Sequence, residues 1–208
     1  MNRSTNQHNS IDRSESQATK RDLPEIRRAL SVLAQPSDVI ELRALNLGGK
    51  IVAGYYNDHD KLAEAAAKLS SNSAGVYTVL NELTPALLAR SANRLTTGPK
   101  NLTQDKDIVR RHYLPVDIDA KRPSGISSTS VEHNAAIEAA KKIKEYLIKL
   151  GFPTNSIIVG DSGNGGHLLA RVDLPNDQDS MNLVKNCLEA LALQFDDDSV
   201  SIDLGVFN

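Results

Sequence analysis

Three aspartates and a histidine carry the chemistry open to this chain. Asp117 and Asp119 stand two apart in the alternating run Val116-Asp117-Ile118-Asp119, His167 follows the glycine-rich stretch Ser162 to Gly166, and Asp203 closes the run Val200-Ser201-Ile202-Asp203. Side chains alternate faces along a strand, so a spacing of two puts both carboxylates of the first pair on one side. Two such carboxylates with a third beside them repel one another at neutral pH. Mg²⁺ or Mn²⁺ relieves that repulsion, because both ions favour carboxylate oxygen and keep room for water and phosphate. The chemistry that follows is the two-metal clamp of phosphoryl transfer. A lone Asp-x-Asp is more often a pair of solvated polar residues on a sheet face. The apolar neighbours Val116 and Ile118, and the basic turn Lys121-Arg122 that follows, make this pair less ordinary.

The stretch Asp161-Ser162-Gly163-Asn164-Gly165-Gly166-His167 joins two candidate strands. Glycines there let backbone N–H groups converge on an anion, and Ser162, Asn164 and His167 add side-chain donors, so a triphosphate fits the turn. Asn-Gly is equally a preferred hairpin dipeptide, and the plain hairpin stays open. Lys121 and Arg122 are further phosphate contacts by position, as are Arg110 and Arg111 at the other end of the strand, although charges at strand ends are commonly just solvated. His59 and His133 read as ordinary histidines. Tyr55, Tyr56, Tyr77 and Tyr113 read as packing residues, and aromatics at 4% offer little base stacking.

The elements that must position these groups follow from periodicity. His112–Asp119 reads as a strand. Thr129–Leu150 reads as a helix with a Thr129/Glu132 capping box, Gly151 as its left-handed stop, and Ala136, Ala140, Ile143, Leu147 and Leu150 inward. Ser156–Val159 and His167–Leu174 are strands around the glycine turn. Ser180–Phe195 is a helix with Val184, Cys187, Leu191 and Phe195 inward, and Ser199–Leu204 a last strand with Leu204 inward. The order β-α-β-β-α-β is the split-βαβ, ferredoxin-like unit, in which the fourth strand lies beside the first. Upstream, Pro24–Leu33 and Lys61–Leu69 read as helices, Val39–Leu45, Ile51–Tyr56 and Gly75–Leu80 as strands, Pro85–Ser91 as a helical turn, and Thr96–Asp107 as a loop. The fold class expected is therefore α+β, with a ferredoxin-like unit in the second half and a soft boundary at Thr96–Asp107. Residues 1–21, polar and nearly without large aliphatic side chains, read as a flexible tail.

Composition bounds the rest. Twenty-four Lys+Arg against 26 Asp+Glu over 208 residues leave a net charge of −2, so nucleic-acid binding is not announced globally and must rest on local clusters. No apolar run approaches the roughly 20 residues of a membrane span. The single cysteine, Cys187, excludes an internal disulfide framework and makes a reducing, cytoplasmic setting the expectation.

The runs YLPVDIDAKRPSGISSTSVEH, SGNGGHLLARVDLP and VSIDLGVFN together resemble the archaeo-eukaryotic primase superfamily, and within it the bacterial, plasmid and phage primase-polymerases. Those enzymes carry a D-x-D motif, a motif ending in His after a small-residue turn, and a third motif centred on one Asp. VIELRAL, GVYTVLNEL and ARSANRL are similar to the N-terminal part of the same group. The resemblance implies a DNA primase/polymerase core, with a ferredoxin/RRM-like catalytic unit over 109–208 and an N-terminal α/β companion module over 22–108, that is a nucleotidyltransferase acting on a single-stranded DNA template with nucleoside triphosphates. It implies that Asp117, Asp119 and Asp203 hold Mg²⁺ or Mn²⁺ and form the catalytic set with His167. Ser162, Gly163, Asn164, Gly165 and His167 hold the triphosphate, with Lys121 and Arg122 beside them. Relatives carry a segment beyond the third motif, and many add a helical priming domain or a helicase. The chain given ends at Asn208, and such a C-terminal continuation is expected in a longer native protein. Two other readings stand beside it. One is a primase-fold module that holds single-stranded nucleic acid or nucleotide without turnover. The other is a sugar-nucleotide glycosyltransferase, which would need a parallel sheet around the Asp-x-Asp.

Overall fold

The computed structural model describes residues 22–206 except Ser71 and Ser124; the expected tail over 1–21 lies outside the described residues. Two antiparallel sheets, each with helices on one face, make a mixed α+β architecture.

The N-terminal sheet is built from β1 (Ile40–Leu47), β2 (Lys50–Tyr56), β3 (Gly75–Thr78) and β5 (Thr96–Thr97), in the order β3-β1-β2-β5. Helices α1 (Leu23–Leu33) and α2 (His59–Ser70) cover one face. Alternation decides which side chains they meet. Ile40, Leu42 and Ala44 of β1 and Val52 and Tyr56 of β2 pack with Leu30, Leu62, Ala66 and Leu69 of the helices. Glu41, Arg43 and Tyr55 take the opposite face. A short strand the periodicity did not announce, β4 (Glu82–Leu83), leaves this module and pairs with residues 108 and 110 of the next.

The C-terminal sheet runs β9-β6-β8-β7, with β6 at Ile108–Ala120, β7 at Ile157–Asp161, β8 at Gly165–Pro175 and β9 at Val200–Ile202. Helices α3 (Ser130–Lys149) and α4 (Gln178–Phe195) cover one face. Leu114, Val116, Ile118, Leu168, Ala170, Val200 and Ile202 point into that layer and meet Ala136, Ala140, Ile143, Val184 and Leu188. The capping box forms as read: Thr129 Oγ1 accepts from the Glu132 N–H at 3.3 Å, and Glu132 Oε2 accepts from the Thr129 N–H at 2.8 Å. Gly151 takes φ +105°, the left-handed stop.

Beside β4, and β5 forming at the start of the expected 96–107 loop, three further details depart from the periodicity. Leu150 is the α3 C-cap and is 62% exposed rather than inward. The last strand stops at Ile202, because Asp203 Oδ1 accepts from the Gly205 N–H at 2.7 Å and turns the chain; Leu204 is 41% exposed as a result. Finally, Tyr55, Tyr56 and Tyr113 are buried as packing residues, but Tyr77 is 55% exposed.

Candidate functional site

The uncovered faces of the two sheets confront one another across a cleft of about 470 Å³ that runs from Arg43 and Thr78 to Tyr113, Asp117 and His167. Tyr113 clamps the two modules at its floor: its hydroxyl donates to the carbonyls of Val32 and Leu33 at 3.2 and 3.1 Å, in the last turn of α1. Those carbonyls lack helical partners, so the phenol satisfies them.

Register brings the candidate residues into rows. Asp117 faces His167 on β8, His167 faces Gly160 on β7, and the Asp203 N–H donates to the Asp117 carbonyl at 2.9 Å on the other side. One row across four chain segments therefore reads Asp203, Asp117, His167, Gly160. In the next same-facing row Asp119 stands between Ser201 of β9 and Gly165 of β8. Opposed residues share a face, and that face is the one away from the helices. Gly160 contributes no side chain beside His167, and an added Cβ there would meet only the His167 Cβ, at 3.8 Å.

The side chains meet less completely than the backbone. His167 Nε2 lies 2.9 Å from Asp117 Oδ1. The hydrogen bond to Asp117 raises the His167 pKa above its ordinary value; partial burial opposes it, and the charges of Asp117 and Asp119 add to it. Asp119 is half-buried in the same face. Asp203 is exposed, and its Oδ1 is held by the Gly205 N–H rather than turned toward Asp117. Among the described residues, no group of three or more His, Cys, Asp or Glu side chains is close enough to hold a metal ion. The donor chemistry still suits a hard divalent cation: Asp117 and Asp119 are carboxylates two apart on one face, with a third at the adjoining strand end.

The glycine turn is built, but its donors are spent internally. Gly163, at φ +82°, donates its N–H to Asp161 Oδ1 at 2.7 Å, and Gly165 donates to Ser162 Oγ at 2.9 Å. Ser162 Oγ in turn donates to the Gly165 carbonyl at 3.1 Å. Asn164 Oδ1 accepts from both the N–H and the hydroxyl of Ser128, at 3.1 and 3.3 Å, tying the turn to the entrance of α3. The expected cradle of free N–H groups at Gly163 and Gly165 is thus replaced by a self-closed hairpin. Arg122 is similarly committed, donating from Nε to the Ile126 carbonyl at 2.8 Å and from Nη1 to the Ala120 carbonyl at 3.0 Å. It shapes the loop beyond Asp119. Lys121 stays exposed beside it.

Sequence reasoning passed over His133 and Asp161. His133 Nε2 lies 2.8 Å from Asp161 Oδ1, the same oxygen that receives Gly163. Asp161 is held below the usual carboxylate range, first by His133 and then by the Gly163 N–H. The capping box places His133 in the first turn of α3; only the packing of α3 along β7 says what it meets.

Comparisons of this chain with protein-family models, with curated proteins and with solved structures find no match.

Proposed function

We propose that this chain is a template-directed nucleotidyltransferase core, of the primase-polymerase kind, that adds a nucleoside triphosphate to a 3′-hydroxyl. The observation that carries the reading is the row Asp203–Asp117–His167, with Asp119 in the next row, on the sheet face that lines the cleft. The strand order β9-β6-β8-β7 with helices on one side supports the expected ferredoxin/RRM-like unit and, with it, the same reading.

Asp117 and Asp119 would hold Mg²⁺ or Mn²⁺, with Asp203 joining through the oxygen that does not cap its turn. The bound ions would supply neutralisation of charge on the attacking and leaving oxygens. The chain's own part is positional. His167 is steered by Asp117, which takes Nε2 and leaves Nδ1 to reach a phosphate oxygen. The side-chain-free Gly160 keeps space beside it for the triphosphate. The cleft between the sheets is where template and nucleotide bases would lie.

A second reading, a nucleotide- or strand-binding module without turnover, is favoured by one observation: the Asp203 carboxylate caps its own turn instead of joining Asp117. The glycosyltransferase reading has no support, since every ladder among the described strands is antiparallel. One assay separates the two that remain. Incubated with a primed single-stranded template, Mn²⁺ and nucleotides, the protein should extend the primer, and Asp117→Ala should abolish extension. Strand and nucleotide binding without extension, indifferent to Mn²⁺ and to Asp119→Ala, would favour the binding module.

A further inference from the structure

Tyr77 is an exposed tyrosine with no core to fill. It sits on β3 opposite Arg43 of β1, so both side chains rise from the face of the N-terminal sheet that α1 and α2 leave uncovered. Its ring does not stand away from the sheet. A Cβ added at Gly75, two residues earlier on the same face, would lie 2.5 to 2.7 Å from the Tyr77 Oη, Cε2 and Cζ atoms. The phenol is therefore laid down along its own strand, over the one residue type that leaves room for it. The ring's outer face is what accounts for the 55% exposure.

Arg43 stands opposite Tyr77 in register and is itself held in place, its guanidinium reaching back to Glu41 while the ring lies toward Gly75. Its Nε and Nη2 donate to Glu41 Oε1 at 3.1 and 3.0 Å, and Nη2 also donates to Glu41 Oε2 at 2.9 Å. Glu41 is wholly buried and also accepts from the Thr103 N–H at 3.3 Å, while the Arg43 side chain stays 30% exposed. A hollow of about 320 Å³ lies over Tyr77, Arg43 and Leu45, and it shares Arg43, Thr78 and Val79 with the cleft that ends at Asp117 and His167. A flat aromatic face and a fixed guanidinium plane are thus continuous with the candidate catalytic face.

We propose that Tyr77, with Arg43 opposite it on β1, is a stacking platform for an unpaired base of single-stranded nucleic acid, and that the strand runs from it along the cleft toward Asp117. This rests on the nucleotidyltransferase reading and assigns the template's path in it. Stacking suits such a partner because every base has a π-face, and recognition is then tolerant of sequence. The Arg43 guanidinium, on the side of Tyr77 away from Gly75, would add a phosphate contact. A small apolar ligand would need enclosure that this open face lacks, whereas a strand threading through needs an open one.

The chain has no tryptophan, so Tyr77→Trp introduces a single reporter on the platform. Oligo(dT) and oligo(U) should quench its fluorescence, and inorganic triphosphate and a blunt duplex of equal length should not. In anisotropy titrations of labelled oligo(dT), Tyr77→Ala should weaken binding about tenfold, within the range for loss of one stacked base, while Tyr77→Phe binds like the parent. Gly75→Val, which lifts the ring, should weaken binding like Tyr77→Ala, with an unchanged circular dichroism spectrum showing that β3 still forms. Binding of oligo(dT) by the parent that is equal in Tyr77→Ala, with an unquenched reporter, overturns the platform and leaves the nucleotidyltransferase reading standing. No binding of any single strand by the parent protein overturns both.

Discussion

Asp117 and His167 are cross-strand partners on β6 and β8, and their side chains meet through Oδ1 and Nε2 at 2.9 Å. The pair couples the middle of the acidic face to a residue that follows a turn some fifty positions later. Its electrostatics can be read directly in solution. In metal-free protein the His167 ring should titrate above the ordinary histidine value, and Asp117→Asn should bring it down toward that value. The sign is that of a raised pKa. Stability from the pair is full below the unfolded-state pKa and is lost as pH rises through the folded one. With the ring half exposed, solvent screening keeps that contribution small. Histidine-selective NMR across pH 5–9 measures it, and a His167 that titrates at or below the unperturbed value contradicts the pairing.

Gly165 and Gly160 make opposite predictions from neighbouring strands. A Cβ at Gly165 would stand 2.4 Å from the Ile118 carbonyl oxygen, between two paired strands, so Gly165→Ala should cost about 1–3 kcal/mol in urea unfolding. Gly160→Ala meets nothing closer than 3.8 Å and should fold normally. It nevertheless adds a methyl group beside His167. In extension assays its KM for nucleotide should rise while unfolding stays within about 0.5 kcal/mol of the parent.

Tyr113→Phe keeps the buried ring and removes only the hydroxyl that serves Val32 and Leu33. Stability should fall by about 1 kcal/mol, the net worth of such a bond. Because the bond ties α1 to the floor of the cleft, amide exchange should quicken in the last turn of α1 before it changes in α3. Equal exchange in both helices would mean that the hydroxyl is not the tie.

Asp161 tests the glycine turn. Its pKa is depressed, by His133 first and the Gly163 N–H second, so what it adds is present above the unfolded carboxylate value and lost as pH falls through the folded one. The Gly163 amide resonance should therefore move with an acidic midpoint below the usual aspartate range. Asp161→Ala should leave global stability nearly unchanged while tightening triphosphate binding, because it frees the Gly163 N–H and removes a negative charge from the turn. Binding that is unaffected would place the turn outside the nucleotide's reach.

Much of this architecture is legible in local chemistry. The Thr129/Glu132 box, the left-handed Gly151 and the strict alternation from Leu114 to Ala120 each have one physical outcome, and each is met. The face shared by Asp117, Asp119 and His167 follows from the same period of two. What alternation cannot convey is how side chains are spent once they arrive. Asp203 lies on the expected row but gives an oxygen to Gly205, because a short side chain beside a turn competes for backbone donors. Ser162 closes the hairpin by the same competition, and the Asn164 side-chain carbonyl oxygen is taken by Ser128. Tyr77 was misplaced for a different reason. Its burial depended on whether a third layer covers the open face of its sheet, a fact that no window along the chain contains.

The two residues of β4 have a consequence for any attempt to divide the molecule. Glu82 and Leu83 hydrogen-bond to the first part of β6 although their neighbours belong to the N-terminal module, and Leu83 is buried among Val39, Tyr55 and Leu87. A fragment cut near residue 108 would strip that partner away and leave a bare ladder edge on a long strand, an invitation to intermolecular pairing. The two halves should thus be handled as a unit, and insolubility of an isolated C-terminal half would reflect that exposed border, with its own core intact.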